Sequence, residues 1–205
     1  MYAELLIAAS LAVAAYQDAK DRAVSDLVWI PAGAAVALTF YSFYTEGGAG
    51  LEFYLAKLAL IGGMALAFTV LGGIGQADGI AIAVVAADPY ALSPLAPLLG
   101  AAAVAAVHIT YEVSRGNARG RKVIPMEQFL REQRWIPKAV LSGDSRTEVS
   151  RDVNVARDEV EASGGSDAMV EVSYGVPTVA YIGIGFVAYV VYMLLFSYSA
   201  LAALP

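Results

Sequence analysis

The sequence predicts an all-α polytopic membrane protein, with about six transmembrane helices and a small cytoplasmic subdomain between the fifth and the sixth helix. Hydrophobic residues make up 59% of the 205 residues and charged residues 16%, whereas soluble domains average about 45–50% apolar and about 25% charged residues. The mean hydropathy is +0.61. Most of the Lys and Arg residues are concentrated in one polar block, residues 115–157, which leaves long apolar stretches on either side of it.

The first apolar stretch, residues 1–16, is expected to be a retained membrane helix. A secretory signal peptide begins with basic residues, and the early charge here is the acidic Glu4. A span needs about 20 residues, so we expect the helix to continue past Tyr16 and to carry Asp18. The five further spans predicted by the apolar stretches are residues 27–44, 51–71, 80–87, 91–111 and 176–204.

The fourth stretch is too short to cross a bilayer by itself. A helix from Asp78 to Asp88 rises about 15 Å at 1.5 Å per residue, against a hydrocarbon core of about 30 Å. We therefore expect one end of this segment to lie below a membrane surface. A re-entrant loop is the alternative, and it would place the basic block on the outer side. In the third stretch, Lys57 is expected to extend its ammonium group towards the nearer membrane surface.

With six spans, the two basic regions lie on one side of the membrane. Lys20 and Arg22 follow the first span, and residues 115–157 follow the fifth. The positive-inside tendency places that side in the cytoplasm, which predicts a multi-pass cell-membrane protein with both termini outside. Asp18 and Asp78 then both lie near the cytoplasmic face. The net charge of −6 argues against a nucleic-acid partner and suits a cationic peptide substrate or a high-salt cytoplasm.

This pattern divides the chain into residues 1–113 with the first five spans, residues 114–173 as a polar cytoplasmic segment, and residues 174–205 with the last span. Within the polar segment, apolar and polar residues alternate, which favours short strands. The candidate strands are residues 123–125, 135–137, 149–155 and 170–172. Residues 161–167 are rich in Ser and Gly and are expected to form a flexible linker.

The composition excludes several kinds of catalytic site. The chain has no Cys and one His, which is His108. It therefore lacks disulfides, a thiol nucleophile, Cys-ligated zinc and the His-Glu-x-x-His motif of zinc metalloproteases. No serine-nucleophile motif of the rhomboid type occurs in the predicted spans. We expect no metal and no cofactor, and we expect His108 to be a core or helix-contact residue. Among intramembrane proteases, the aspartyl type is left.

Two aspartates at the edges of apolar segments are the candidate catalytic residues. Asp18 closes the first stretch, and Asp78 lies in a glycine-rich break, residues 72–79. A carboxylate in a membrane segment is costly and indicates function. Two carboxyls in contact share one proton, so the ionised one can activate water while the neutral one protonates a carbonyl oxygen. We expect Asp78 to be more recessed, with a raised pKa, and Asp18 to be nearer to water.

Simpler interpretations of both residues stay open. Asp18 is also explained as a solvated charge in a loop that holds Asp21, Arg22 and Asp26. Asp78 is also explained as a helix N-cap, a common role for Asp after a glycine turn, and that role is compatible with catalysis.

The residues around the two aspartates resemble the signatures of the archaeal preflagellin and prepilin peptidases, relatives of the bacterial type IV prepilin peptidases. The first family signature is an Asp that ends the first helix, then a basic residue, a β-branched residue and a polar pair; it is matched by Asp18, Arg22, Val24, Ser25 and Asp26. The second is Gly-x-Gly-Asp, matched by Gly75-Gln76-Ala77-Asp78 with Ala77 in place of the second glycine. The last span is similar to the family's final helix at residues 174–177 and 183–186.

The resemblance implies a GxGD intramembrane aspartyl protease that cleaves preflagellins (archaellins) and type IV pilin-like precursors at the cytoplasmic face of the cell membrane. These substrates carry a short basic leader followed by a hydrophobic helix. The resemblance implies that Asp18 and Asp78 are catalytic and that Gly75 and Arg22 support them. Bacterial bifunctional members of the family carry a tetracysteine zinc region and methylate the new N-terminus, so the absence of Cys implies peptidase activity alone.

Two other classes of protein remain as alternatives. A small ion- or proton-coupled transporter would use Asp78 in a broken helix. Such a protein often has an inverted repeat, which the sequence does not show, and it would not need Asp18. A non-catalytic membrane scaffold is the third interpretation.

Overall fold

The computed structural model of the chain describes residues 2–47, 49–89, 94–143, 145–150, 153–163 and 168–202. The chain forms two compact units, which are called the helical unit and the sheet unit below. The helical unit comprises Met1–Ala19, Val24–Ala105 and Pro177–Pro205, and the sheet unit comprises Lys20–Ala23 and Ala106–Val176.

The helical unit contains most of the apolar residues. Its helices are α1 (Tyr2–Asp21), α2 (Ile30–Glu46), α3 (Ala49–Lys57), α4 (Gly63–Val70), α5 (Gln76–Ala86), α6 (Leu95–Ser114) and α9 (Thr178–Ala202). A 3-10 turn, Asp26–Trp29, precedes α2, and a π-helical segment, Leu58–Gly62, joins α3 to α4. The last residues of α1 and the second half of α6 are grouped with the sheet unit.

Among the residues that the structure describes, four helical stretches are long and apolar enough to cross a membrane, judged by length and composition. They are Asp26–Glu46, Gly50–Val70, Leu95–Ser114 and Thr178–Phe196, which agree with the second, third, fifth and sixth predicted spans. The first and fourth predicted spans do not qualify. α1 has 20 residues but carries four charged side chains, and α5 has 11 residues, which rise only about 16 Å. The structure therefore supports four spans out of six.

The core of the helical unit is formed by α1, α5 and α9, with the fully buried Ile7, Leu11, Val85 and Phe186 among its residues. Two glycines let α9 approach its neighbours closely. A Cβ atom at Gly183 would lie 2.6 Å from the Leu11 carbonyl oxygen of α1, and one at Gly185 would lie 2.7 Å from the Ala101 nitrogen of α6. Main chain therefore contacts main chain at both places, as small residues permit in membrane helices.

Lys57 and Asp88 are charged residues inside this apolar unit. Lys57 is 7% exposed and Asp88 is fully buried. The Lys57 ammonium group donates a hydrogen bond to the main-chain carbonyl of Asp88. This partner lies just after the end of α5, within the helical unit, and the extension of Lys57 towards a membrane surface stays a prediction.

The sheet unit is built on a four-stranded antiparallel sheet with strand order β1-β4-β2-β3. Its elements are β1 (Arg121–Pro125), α7 (Met126–Arg131), β2 (Trp135–Ser142), β3 (Ser145–Glu148), α8 (Val153–Ala162) and β4 (Met169–Tyr174). The buried core joins the sheet to both helices through Phe129 of α7, Val160 of α8, and Val170 and Val172 of β4. The β2–β4 pairing is irregular between Pro137 and Ala139, because a proline has no N–H to donate to a ladder.

The strands predicted at residues 123–125, 135–137 and 170–172 are confirmed as parts of β1, β2 and β4. The strand predicted at residues 149–155 is wrong at its described residues, while residues 151–152 lie outside the described part of the chain. α8 begins at Val153 and buries Ala156 and Val160, and a spacing of four residues is the helical period. The predicted linker, residues 161–167, overlaps the end of α8, and its residues 164–167 lie outside the described part of the chain.

Candidate active site

Asp18 lies in the last turn of α1 and is bound to the start of α9. Its side chain is buried, with 8% exposure, and its Oδ2 atom accepts a hydrogen bond from the Ala180 N–H at 3.0 Å. Ala180 is the third residue of α9, and the first four N–H groups of a helix lack partners within the helix. The positive end of the helix dipole also favours a negative charge here. The interpretation of Asp18 as a solvated loop charge is therefore wrong.

Asp78 lies in the first turn of α5, three residues after the N-cap. The N-cap is Gly75, with an extended backbone, and the Asp78 carboxylate accepts a hydrogen bond from the Gly75 N–H. An acidic side chain at this position that binds the N-cap N–H is half of a capping box. The interpretation of Asp78 as the N-cap is therefore wrong, because the N-cap is Gly75, three residues earlier. A Cβ atom at Gly75 would lie 3.0 Å from Asp78 Oδ2, so the glycine leaves room for the carboxylate.

The structure brings Asp18 near enough to Asp78 for its charge to act on the Asp78 carboxyl. Asp78 lies outside the four candidate spans. Its pKa is raised from 3.8 to about 6, mainly by burial and further by the charge of Asp18, while the Gly75 N–H opposes the rise. The pKa of Asp78 is therefore raised, as expected, and the causes are burial and the neighbouring carboxylate. The expected order of exposure is reversed, since Asp18 is buried and Asp78 is partly exposed.

Gly79 and Thr69 were missed by the sequence reasoning and determine how α5 is held beside Asp78. Gly79 is buried against α4, and a Cβ atom at this position would overlap Thr69 Oγ1. The Thr69 hydroxyl donates to the Ala65 carbonyl at 3.1 Å. A glycine in a helix is less favourable than alanine by about 1 kcal/mol. A glycine inside a predicted helix, directly after a candidate catalytic residue, could therefore have indicated a close helix contact at Gly79.

Arg22 follows α1 directly and belongs to the sheet unit. Its backbone is left-handed, with φ of 55°, a conformation that costs about 1 kcal/mol or more in a residue other than glycine. Its guanidinium lies 6.0 Å from the centre of the Tyr174 ring and binds the Tyr174 hydroxyl. The structure thus gives Arg22 a partner in β4, and its supporting role at the aspartates stays a prediction.

His108 contacts a residue of its own helix and a residue of β4, so its expected role as a core or helix-contact residue stays a prediction. Its Nε2 atom lies 3.7 Å from Glu112 one turn further along α6, and its ring centre is 6.4 Å from that of Tyr174. Within the described ranges, no group of three or more His, Cys, Asp or Glu side chains could hold a metal ion.

The arrangement at Asp18 and Asp78 is suited to general acid–base chemistry. One carboxyl is held by the N-terminus of a helix, which favours its anionic form, and the other retains its proton up to a pH of about 6. Such a pair can accept a proton from water and donate one to a carbonyl oxygen. No protein-family model matches the chain, and comparison with curated proteins and with solved structures found no match.

Proposed function

We propose that the protein is an aspartic endopeptidase of the cell membrane that removes the basic leader of preflagellins (archaellins) and type IV pilin-like precursors. The observation that carries the proposal is that Asp18 and Asp78, about sixty positions apart in the sequence, come near enough for the charge of Asp18 to raise the pKa of Asp78. Both belong to motifs that resemble those of the prepilin peptidases. Asp18 lies in the last turn of α1, and Gly75 to Asp78 form the start of α5.

The surroundings of the two carboxyls suggest their roles in the reaction. Asp18, as the anion, accepts a proton from water while the water oxygen attacks the scissile carbonyl carbon. Asp78 donates its proton to the carbonyl oxygen, which gives a neutral tetrahedral intermediate. When the C–N bond breaks, the leaving amine takes the proton held by Asp18, and a hydroxyl proton of the intermediate returns to Asp78. Protons balance over the cycle, and no metal takes part.

The proposal places both aspartates at the cytoplasmic face, with α1 as the first span and α5 as an incomplete fourth. The precursor's apolar helix would lie in the bilayer, and its basic leader would contact negative charge on the sheet unit. Exposed carboxylates there include Glu127, Asp158 and Glu161. Glu171 is less available to a leader, since Arg121 and Arg146 bind it at 2.9 and 3.0 Å.

The test is to mix the purified protein with a preflagellin in detergent and to measure the mass of the product. We expect a loss equal to the mass of the leader. Asp18→Asn and Asp78→Asn should each abolish cleavage, whereas Asp21→Asn should retain it, because Asp21 is an exposed carboxylate of the same helix turn. Cleavage by either of the first two variants would contradict the catalytic pair.

The transporter alternative is favoured by one observation, the burial of Lys57 and Asp88 inside an apolar helical unit. Ionisable residues in such places often mark ion or proton pathways. In proteoliposomes, a transporter would show ion or proton flux that depends on Asp78 but not on Asp18. Flux of this kind, without cleavage of any precursor, would replace the peptidase proposal.

A further inference from the structure

The C-terminal end of α5 lies within the apolar part of the helical unit. α5 rises only about 16 Å from its start beside Asp18, and Val85, Ala86 and Asp88 are fully buried. The start of α6 is equally deep. Gly185 contacts Pro97, the third residue of α6, and Gly185 lies seven residues, or about 10 Å, from the start of α9. With the starts of α5 and α9 at the membrane surface, as the proposed function places them, α5 would end about halfway through an apolar layer of about 30 Å.

A helix that ends at this depth leaves carbonyl groups without partners. The last four carbonyls of a helix have no intrahelical donor, and hydrocarbon offers no water to replace it. An unsatisfied backbone group costs several kcal/mol there. α5 therefore needs donors from a neighbouring helix.

α3 provides two donors at this point. The Tyr54 hydroxyl donates to the Ala87 carbonyl at 3.2 Å, and the Lys57 ammonium donates to the Asp88 carbonyl. Tyr54 is 2% exposed and Lys57 is 7% exposed. The two residues are three positions apart and so share one face of α3. A positive charge at a helix C-terminus also interacts favourably with the helix dipole.

The π-helical segment keeps this face of α3 in line with the face of α4 that contacts α5. On α4, Thr69 lies against Gly79, and in the π segment Gly62 faces Ala83, where a Cβ atom would lie 3.5 Å from the Ala83 Cβ. Gly62 follows Lys57 by five residues, which is the interval of a π-helical hydrogen bond. The two residues therefore lie about one π-helical turn apart, on the same side of the helix. One continuous face therefore holds α5 at its N-terminus, its middle and its C-terminus.

We propose that Tyr54 and Lys57 are positioning residues that anchor the C-terminal end of α5 in the apolar layer and thereby fix the depth of Asp78. α5 transmits the position of one end to the other, because its 11 residues form a single rigid helix. The consequence for cleavage rests on the proposed peptidase function, whereas the anchoring itself does not.

The first experiment measures anchoring without using activity. The chain has no Cys, so Gln76→Cys introduces a single thiol on the exposed first residue of α5. In lipid nanodiscs, the labelling rate with a water-soluble maleimide reports how far this residue is immersed. Lys57→Met should change that rate by about 10-fold or more, as expected for the loss of one charged hydrogen bond. Lys57→Arg should restore it.

Two further variants keep this test decisive. Tyr54→Phe removes one hydroxyl and keeps the ring, so it should fold and change the labelling rate by about 2-fold or more. Lys138→Met removes an exposed lysine of the sheet unit and should leave the rate unchanged. Unchanged labelling in a folded Lys57→Met or Tyr54→Phe variant would overturn the proposal.

The second experiment uses cleavage of a preflagellin. Lys57→Met should lower kcat more than it raises KM and should give products cut at more than one bond, since Asp78 is no longer held at one depth. If the wild-type protein cleaves no precursor while the labelling rates still change, the peptidase proposal fails and the anchor stands. If the wild-type protein cleaves and Lys57→Met cuts the same bond at the same rate, the anchor fails.

Discussion

The two aspartates differ in the groups that surround each carboxyl. Asp18 accepts an N–H at the start of α9, which favours a negative charge. Asp78 has its pKa raised to about 6 by burial and by Asp18. Below this pH, Asp78 retains its proton beside an anionic neighbour, which is the state that the proposed mechanism requires.

The activity should therefore fall as the pH rises through about 6, because Asp78 then loses the proton that it donates to the carbonyl oxygen. We expect kcat to decline about tenfold for each pH unit above that value. The measurement is the initial rate of preflagellin cleavage under saturating substrate, in buffers of constant ionic strength. A kcat that rises through the same pH range would exchange the roles, making Asp78 the base and Asp18 the acid.

The control for this prediction is stability, which does not depend on substrate. Because the pKa of Asp78 is higher in the folded than in the unfolded chain, ionisation of Asp78 destabilises the fold. The penalty is absent below pH 3.8, grows up to about pH 6 and is constant above. It amounts to about 1–2 kcal/mol after allowance for partial exposure. Asp78→Asn should therefore unfold at a higher temperature than the wild type at neutral pH and at the same temperature in acid.

At the scale of single residues, the sequence was sufficient to single out Asp18 and Asp78 as candidates but not to identify the groups that they contact. Each aspartate is recognised locally, by its place at the edge of an apolar stretch and by a short motif. Ala180, which binds Asp18, is 162 positions away, and no pattern in the sequence relates the two. The reversed order of exposure has the same origin, since the burial of Asp18 depends on α9.

At the scale of elements, the close contact of α4 and α5 depends on Gly79. Gly79→Ala should destabilise the protein by about 1–3 kcal/mol, because the added methyl group overlaps the Thr69 hydroxyl in a packed interface. Adding Thr69→Ala should recover most of this loss, since it removes the overlapping atom. The measurement is the free energy of unfolding of the single and double variants in detergent, together with cleavage.

Gly63→Ala is the matched control. Gly63 begins α4, and a Cβ atom there would meet no atom within 4 Å. Its replacement should be neutral or stabilising by up to about 1 kcal/mol, as expected from helix propensity. Equal losses for Gly63→Ala and Gly79→Ala would mean that the overlap with Thr69 is not the cause.

The elements that the sequence predicted are those with a strong local pattern. α2, α6 and α9 follow from long apolar stretches, and β1, β2 and β4 follow from alternation. α7, α8 and β3 are short and polar; α7 and α8 depend on the core that contains Phe129 and Val160, and the exposed β3 depends on its pairing with β2. The sequence shows the apolar stretch of α5. It does not show that the hydrogen-bond donors at the end of this helix, Tyr54 and Lys57, come from another helix.

At the scale of the whole molecule, the Asp18–Ala180 hydrogen bond bears on topology. It places the end of α1 and the start of α9 at the same end of the helical unit. If α5 were a re-entrant loop that returned before α6 crossed, α9 would start on the side of the membrane opposite to Asp18. The bond therefore favours the arrangement in which α5 rises into the apolar layer and α6 returns to the side of Asp18, with Asp78 on that side as well.

The positive-inside tendency predicts that the basic block, residues 115–157, and Thr45 near the end of α2 lie on opposite sides of the membrane. Single thiols at the exposed positions Lys138→Cys and Thr45→Cys test it in a chain that has no other Cys. In intact cells, a membrane-impermeant maleimide should label position 45 and should label position 138 only after the membrane is disrupted. The physical reason is the concentration of Lys and Arg in the sheet unit, which the positive-inside tendency retains in the cytoplasm. Labelling of position 138 in intact cells would move both aspartates to the outer face, where the cytoplasmic leader of a precursor could not reach them.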